Sequence, residues 1–404
     1  MLYEAYERQS DVADSIRAWG RVLQDAVAPW TMLHSHEALA HGLAAAGMMI
    51  RVGLTHARPS YGIDTVRVGN RDAPVVEETA LTTPFATLTR FRKDVDTAQP
   101  RMLVVAPLSG HFATLLRGTV RTLLADHDVY ITDWTNARDV PLEAGRFGFD
   151  DYVEHVIRFL EHIGPGAHLV AVCQPAVQAL AAAAVMAEQQ NPAAPASMTL
   201  MAGPVDTRVN PTKVNMLATS KPISWFEKNL IDTVPRHHKG AGRRVYPGFV
   251  QLTAFMSMNA ERHAKSHLDL YWHLVRGEHD KAQLVSTFYD EYFAVLDLAA
   301  EFYLETVKTV FQDAALARNE LTFRGAKLDM RAIRRTALLT VEGERDDICS
   351  VGQTVAAHDL CTSLRPYMKR HHLQAGVGHY GVFSGRKWEG QVYPLVKNFV
   401  LAND

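Results

Sequence analysis

Three places in the sequence carry residue types that could together perform nucleophilic catalysis. Cys173, the pair Asp346-Asp347 and His379 each follow a run of apolar residues. A cysteine thiolate attacks carbonyl carbons, a histidine takes up and returns the proton, and a carboxylate orients the imidazole and stabilises its cation. The three sites therefore predict acyl transfer, with Cys173 as nucleophile, His379 as base and an aspartate beside the histidine.

The chain order of these residues is informative about the fold. Nucleophile, then acid, then histidine is the order of the α/β-hydrolase triad, with Cys173 where serine is usual. In that arrangement the nucleophile lies on a sharp turn between a strand and a helix, where the helix dipole favours the thiolate. The usual turn has glycine two residues on either side of the nucleophile, whereas this chain has Ala171 and Pro175. The motif is therefore weak by itself, and its position among the predicted strands supports it.

Two choices within this site stay open at the level of sequence. Asp346 is favoured over Asp347 as the triad acid, but both follow the same predicted strand. The other two cysteines, Cys349 and Cys361, follow no such turn, and we expect them to be structural.

An oxyanion hole can also be assigned from the sequence. In the α/β-hydrolase arrangement one donor is the backbone N–H of the residue after the nucleophile, here Gln174. The second donor comes from the loop after an early strand, where Leu108 and Ser109 are the candidates.

The elements that must position these residues follow a repeating pattern. Near-continuous apolar strands alternating with helices indicate a parallel sheet covered on both faces. The predicted strands lie at 102–108, 129–134, 169–172, 198–203, 337–343 and about 372–375, with helices at 113–124, 150–163 and 176–189. Residues 1 to about 58 have helical spacing, short strands begin near 65, and a further strand is predicted at 86–93.

The pattern is interrupted once, and the interruption defines the predicted domains. About a hundred residues after 203 are rich in aromatic residues at helical spacing, without a clear strand. We expect an α/β-hydrolase fold: a mostly parallel sheet with helices on both faces and an inserted, mostly helical cap. Residues 1–203 would form the first part of the core, 204–315 the cap and 316–404 the second part of the core.

Composition excludes several other classes of protein. Lys and Arg total 42 and Asp and Glu 44 among 404 residues, a net charge of −2 that gives no reason to expect nucleic-acid binding. Three cysteines indicate a reduced compartment, and no secretion signal or membrane-length apolar run is present, so we expect a cytoplasmic protein. The sequence has no phosphate-binding or dinucleotide motif. We therefore expect neither a cofactor nor a metal to be needed, and the sequence gives no indication of oligomeric state.

Five longer segments resemble a known family. They are APLSGHFATLLR at 106–117, VCQP at 172–175, GRRVYPGF at 242–249, VEGERDDI at 341–348 and GHYGVFSGR at 378–386. These segments are similar to those of the intracellular polyhydroxybutyrate depolymerases, members of the α/β-hydrolase superfamily. The resemblance implies a cysteine triad of Cys173, Asp346 and His379. It also implies a substrate, the amorphous polyester of bacterial storage granules, and products that are 3-hydroxybutyrate and its short oligomers.

An insoluble apolar polymer needs an apolar surface on which to bind, and the predicted cap supplies candidates. They are Trp225, Phe226, Phe255, Met256, Met258, Trp272, Phe288, Tyr289, Tyr292 and Phe293. The alternative for each is packing within the cap. Two rival functions also stay open: a polyhydroxyalkanoate synthase, which would pass the acyl group to a growing chain end, and a non-catalytic granule-associated protein.

Overall fold

A nine-stranded sheet forms the centre of the protein in the computed structural model, which describes residues 2–31, 37–95, 98–258 and 260–404. Its strands are β1 (Thr65–Val68), β2 (Arg71–Thr82), β3 (Ala86–Lys93), β4 (Arg101–Val105), β5 (Asp128–Trp134), β6 (His168–Val172), β7 (Ser197–Met201), β13 (Ala337–Gly343) and β14 (Lys369–Gln374). The spatial order is β1-β2-β3-β5-β4-β6-β7-β13-β14. The six strands from β5 to β14 are parallel, and the three at the other edge are antiparallel.

The central strands form because their residues are apolar on both sides. Every residue of β6, β7 and β13 is buried, as expected for strands covered on both faces. The helix α4 (Phe149–Ile163) buries seven side chains at intervals of one or three residues, and Gly164 follows its last residue. It packs against α5 (Ala176–Glu188), and α14 (Tyr393–Leu401) packs against β7. This architecture confirms the predicted α/β-hydrolase fold.

Two further regions complete the chain around the sheet. At the N-terminus, α1 (Leu2–Thr31) packs on α2 (Glu37–Ile50), and α2 packs on α9. Between β7 and β13 lie α6 (Lys213–Thr219), α7 (Ile223–Leu230), α8 (Gly248–Met258), α9 (Ala260–Val275), α10 (His279–Tyr292), α11 (Ala300–Thr306) and a π-helical turn, Val307–Gln312. The shorter helices elsewhere are α3 (Arg117–Leu123), α12 (Ala357–Leu360) and α13 (Gly385–Lys387).

The region after β7 also contains strands that the sequence analysis did not predict. The strands β8 (Asp232–Thr233), β9 (Arg244–Tyr246) and β10 (Leu298–Ala299) form a small antiparallel sheet, and β11 (Thr322–Phe323) pairs with β12 (Ala326–Lys327). Strands of two or three residues are too short to produce an alternating pattern, which explains why they were not predicted. No helix among the described residues is long and apolar enough to cross a membrane.

Candidate active site

Cys173 occupies a sharp turn between β6 and α5. Its φ angle is +67°, in the left-handed region that non-glycine residues adopt rarely and mostly at functional sites. The backbone N–H of Cys173 donates to the carbonyl of Met201 at 2.8 Å, and its own carbonyl accepts from the N–H of Ala176 at 3.1 Å. The thiol is half-buried and lies next to the first turn of α5. This is the geometry expected of a nucleophile on a strand-to-helix turn.

A glycine just after the neighbouring strand β7 makes this turn possible without glycines inside it. Ala171 is fully buried within β6, and Pro175 begins the helix with φ −62°. Space is provided by Gly203, just after β7, where an added Cβ would lie 2.1 Å from the Cβ of Ala176 and 3.0 Å from the carbonyl oxygen of Cys173. The close approach that normally requires a flanking glycine is therefore achieved through Gly203.

Asp346 and His379 form a buried hydrogen-bonded pair. The Oδ2 atom of Asp346 lies 2.8 Å from Nδ1 of His379. The other oxygen, Oδ1, accepts from the backbone N–H groups of Ile348 at 2.9 Å and Cys349 at 2.8 Å. Three bonds thus fix the carboxylate, which points away from solvent. Asp347 lies at the wall of the adjacent cavity and does not occupy this position.

The imidazole of His379 also contacts Cys173. Burial lowers the pKa of His379, but the charges of Asp346 and Cys173 and the hydrogen bonds to both side chains raise it more, so the pKa lies well above its usual value. With Nδ1 facing the carboxylate, Nε2 is the nitrogen directed at the sulfur. The arrangement stabilises an imidazolium, which is the state that follows proton transfer from the thiol.

The other two cysteines have a different environment. Cys349 and Cys361 are both buried, and burial raises the pKa of each thiol, that of Cys361 to about 12. A buried thiol held in its neutral form is a poor nucleophile. Cys173, in contrast, is only half-buried.

The predicted oxyanion donors are Gln174, directly after Cys173, and Leu108 or Ser109, in the loop after β4. Within the described residues, no hydrogen bond uses the backbone N–H of Gln174, Leu108 or Ser109. Gln174 directly follows Cys173 and is buried, and Leu108 is also buried, while Ser109 is partly exposed. These backbone donors are thus available to a ligand.

Two residues near the site were missed by the sequence analysis. Glu342 is completely buried within β13 and accepts from the N–H groups of Gly352 (2.9 Å), Thr354 (2.7 Å) and Val355 (3.0 Å). These bonds hold the loop that carries Asp346. The sequence does contain a signal for Glu342, because it is the one carboxylate within a predicted strand that is otherwise mostly apolar.

The second is His111, in the loop after β4. It is buried, and its ring lies 5.9 Å from that of Phe255 and 4.9 Å from that of Tyr292. Burial lowers the pKa of His111 to about 4, against the opposing effect of its hydrogen bond to the backbone of Tyr292. The ring is therefore neutral at physiological pH and packs behind the wall of the adjacent cavity.

A cavity of about 730 Å³ opens beside His379. Its wall is formed by α8, α9 and α10 on one side and by the loops that follow β13 and β14 on the other. The apolar part of the wall consists of Phe255, Leu284, Val285, Phe288, Tyr289, Tyr292, Ile348, Val377 and Tyr380. Arg262, Arg345 and Asp347 supply charged groups. The cavity suits an extended apolar ligand with some polar atoms.

The structure divides the predicted substrate-binding residues into two groups. Phe255, Phe288, Tyr289 and Tyr292 line the cavity. The other described residues do not line it. Met256 and Phe293 pack against the cluster around Leu252. Phe226, on α7, is buried against the π-helical turn and contacts Trp225, and Trp272 packs against His41 and Arg276. The side chain of Met258 lies outside the described part of the structure. Helical spacing alone could not separate the two groups.

Comparisons with known proteins give a family match and a set of structures that resemble this chain. The sequence model of the family "PHB de-polymerase C-terminus" matches residues 202–404. Among solved structures, the chain is similar to a putative lipase from Acinetobacter baumannii AYE (15% identity, 82% of this chain and 93% of that one, TM-score 0.44). It is also similar to an epoxide hydrolase from Bacillus megaterium (14% identity, 80% and 99%, TM-score 0.48).

No curated protein sequence matches the chain. The family match covers half of the chain and includes the loops that carry Asp346 and His379, while Cys173 lies N-terminal to it. The chain belongs to the poly(3-hydroxybutyrate) (PHB) depolymerase family and is a hydrolase with the α/β-hydrolase fold.

Proposed function

We propose that the protein hydrolyses the ester bonds of poly(3-hydroxybutyrate) in intracellular amorphous granules, through a triad of Cys173, His379 and Asp346. The family supports the polymer as substrate. The observation that carries the mechanism is the position of His379, hydrogen-bonded to Asp346 at 2.8 Å and in contact with Cys173. The products are 3-hydroxybutyrate and its short oligomers.

In the first half of the reaction, Nε2 of His379 takes the thiol proton and the sulfur of Cys173 attacks the ester carbonyl. The carbonyl π electrons move to oxygen, and the N–H groups of Gln174 and of Leu108 or Ser109 stabilise this oxyanion. The intermediate collapses, the C–O bond breaks and the imidazolium of His379 protonates the departing alkoxide oxygen, which becomes the hydroxyl of the released chain end. The acyl group is then held as a thioester, and one polymer chain end is free.

In the second half, His379 removes a proton from water, and the hydroxide attacks the thioester carbonyl. The C–S bond breaks, the thiolate of Cys173 recovers a proton from His379, and the carboxylic acid leaves. Asp346 stabilises the imidazolium in both halves without itself becoming protonated.

The helices α8, α9 and α10 are the part of the predicted cap, residues 204–315, that we propose to hold the polymer. They form one wall of the cavity beside His379. Leu284 and Phe288 line this cavity and are also 76% and 39% exposed. Large apolar side chains exposed at a cavity entrance favour contact with an apolar granule surface. This supports association of the protein with granules.

The test is release of 3-hydroxybutyrate equivalents from native amorphous granules by wild-type protein, Cys173→Ala and Cys361→Ala. We expect release by the wild type, a loss of at least about 10⁴-fold in Cys173→Ala, and near-normal release by Cys361→Ala. Cys361 is the matched control because it is also a cysteine, and burial raises the pKa of its thiol to about 12 and keeps it neutral.

The outcomes separate the substrate from the mechanism. Equal release by the wild type and Cys173→Ala would retain the substrate and refute the cysteine nucleophile. No release by folded wild type would refute the depolymerase proposal. Chain elongation from 3-hydroxybutyryl-coenzyme A would then identify a synthase, and the absence of both activities a non-catalytic granule protein.

A further inference from the structure

A second cluster of reactive side chains lies where α1 meets the loop between β8 and β9. Both Nε2 atoms of the adjacent residues His237 and His238 lie 3.0 Å from Oε1 of Glu7. The two imidazole rings are 4.1 Å apart and inclined by 45°. Among the described residues, these form the only group of three or more His, Cys, Asp or Glu side chains whose ligand atoms all lie within 4.8 Å of one another.

We propose that Glu7, His237 and His238 bind a Zn²⁺ ion that fastens the N-terminal helix to this loop. Imidazole nitrogen together with carboxylate oxygen is a ligand set typical of zinc and disfavours Mg²⁺ and Ca²⁺, which prefer oxygen alone. Three protein ligands leave a fourth position for water. The site is separate from the proposed triad, so this inference does not depend on the proposed function.

The distances are close to those that tetrahedral coordination requires. Ligand atoms about 2.1 Å from a zinc ion at tetrahedral angles lie roughly 3.4 Å from one another. Each histidine nitrogen lies 3.0 Å from the carboxylate oxygen, and all three atoms are within 4.8 Å of one another. Small rotations of these side chains therefore suffice to admit the ion.

The loop that supplies the histidines is itself well fixed. The N–H of Gly240 donates to the carbonyl of Arg138 at 2.7 Å, and the N–H of His238 donates to the carbonyl of Pro235 at 3.3 Å. The helix is anchored nearby, because the N–H of Tyr3 donates to Asp232 at 2.9 Å. Both sides are thus held in place before metal binds, which lowers the entropic cost of assembling the site.

The accessibility of the cluster favours exchange with solution metal. His237 is 63% exposed at its side chain, Glu7 26% and His238 18%. The ion would link two segments about 230 residues apart in sequence, and a ligand that binds only the folded state stabilises it. We therefore assign the site a structural role in holding α1.

The test uses the full chain, stripped of metal by a chelator and dialysed. Zn²⁺ binding is measured by calorimetry, and Co²⁺ binding by its visible absorption, which reports tetrahedral coordination. The variants are His237→Ala, His238→Ala and Glu7→Gln. The control is His372→Ala, which changes the other adjacent histidine pair, where the Nε2 of His372 contacts Gln374.

We expect one Zn²⁺ per chain, a rise in melting temperature with Zn²⁺, and a loss of at least about tenfold in affinity for each of the three variants. His372→Ala should bind as the wild type does. Melting temperatures without metal show whether each variant is folded. Unchanged zinc affinity in the three variants, or no binding of Zn²⁺ and Co²⁺ by the folded wild type, would overturn the proposal and leave a surface ion pair.

Discussion

Replacing Asp346 by Asn tests the proposed triad with little disturbance of its surroundings. The Oδ1 of asparagine can still accept from the N–H groups of Ile348 and Cys349. The change removes the negative charge beside His379, and it directs an amide N–H₂ group at a nitrogen that now donates. The histidine is thereby driven to the tautomer that cannot accept the proton of Cys173.

The size of the effect follows from the burial of the pair. The side chain of His379 is 5% exposed and that of Asp346 is fully buried. Burial lowers the pKa of His379, and the charge of Asp346 is the largest of the effects that raise it. Leaving a buried charge without its partner costs about 3–5 kcal/mol. At about 1.4 kcal/mol per factor of ten, kcat/KM should fall by about 10²–10⁴-fold.

Two assays check this expectation. The first is release of 3-hydroxybutyrate from granules, and the second is the rate at which iodoacetamide alkylates Cys173, followed by mass spectrometry. The matched control is Asp347→Asn, at the adjacent carboxylate that lines the cavity, for which we expect a loss of less than about tenfold, because this residue is exposed and interactions of exposed charges contribute little. If Asp346→Asn retained activity within tenfold while Asp347→Asn lost more than 100-fold, our assignment of the acid would be refuted.

Three further predictions concern the residues that support the site. Gly203→Ala, which places a Cβ 2.1 Å from that of Ala176, should lower the free energy of unfolding by about 1–3 kcal/mol in urea titrations and reduce activity. The control is Gly118→Ala, where an added Cβ has no atom within 4 Å, and it should change the free energy of unfolding by no more than about 1 kcal/mol. Glu342→Gln should lower the free energy of unfolding by about 2–3 kcal/mol, because an amide cannot serve three backbone N–H donors as well as a carboxylate does; an unchanged urea midpoint would contradict this. The pKa of His111 is lowered to about 4 in the folded state, so below pH 6.5 the unfolded state binds more protons than the folded state does. The free energy of unfolding therefore decreases as the pH is lowered. Between pH 6.5 and 4 the wild type should lose about 3 kcal/mol more stability than His111→Asn, and equal losses would show that His111 is not held neutral.

Most of the sheet could be predicted because its strands are buried on both faces. The predicted bounds of 86–93 and 337–343 coincide with β3, half of whose residues are buried, and with β13, whose residues are all buried. The strand predicted at 102–108 ends earlier, at Val105, because the next residues form the loop that includes Leu108. Short strands such as β8 depend on pairing with distant residues, which a local pattern does not contain.

The candidate site could be predicted in part for a related reason. The carboxyl ends of parallel strands meet at one edge, so residues after β6, β13 and β14 lie near one another whatever the intervening sequence. The choice between Asp346 and Asp347 could not be made in this way. It depends on a turn in which the N–H groups of Ile348 and Cys349 hold the carboxylate of Asp346 inward. The position of such backbone donors cannot be predicted from residue types alone.

The absence of glycines around Cys173 shows why a sequence motif can be incomplete although the turn that it describes is formed in the structure. The turn needs room where β6, the helix α5 and β7 approach one another, and any of these elements can provide it. Here the room is provided by Gly203, thirty positions after the nucleophile, whose missing side chain accommodates Ala176. A flanking glycine and Gly203 are thus two solutions to one packing constraint. It follows that Ala176→Gly, which removes the Cβ that faces Gly203, should partly restore the stability lost in Gly203→Ala.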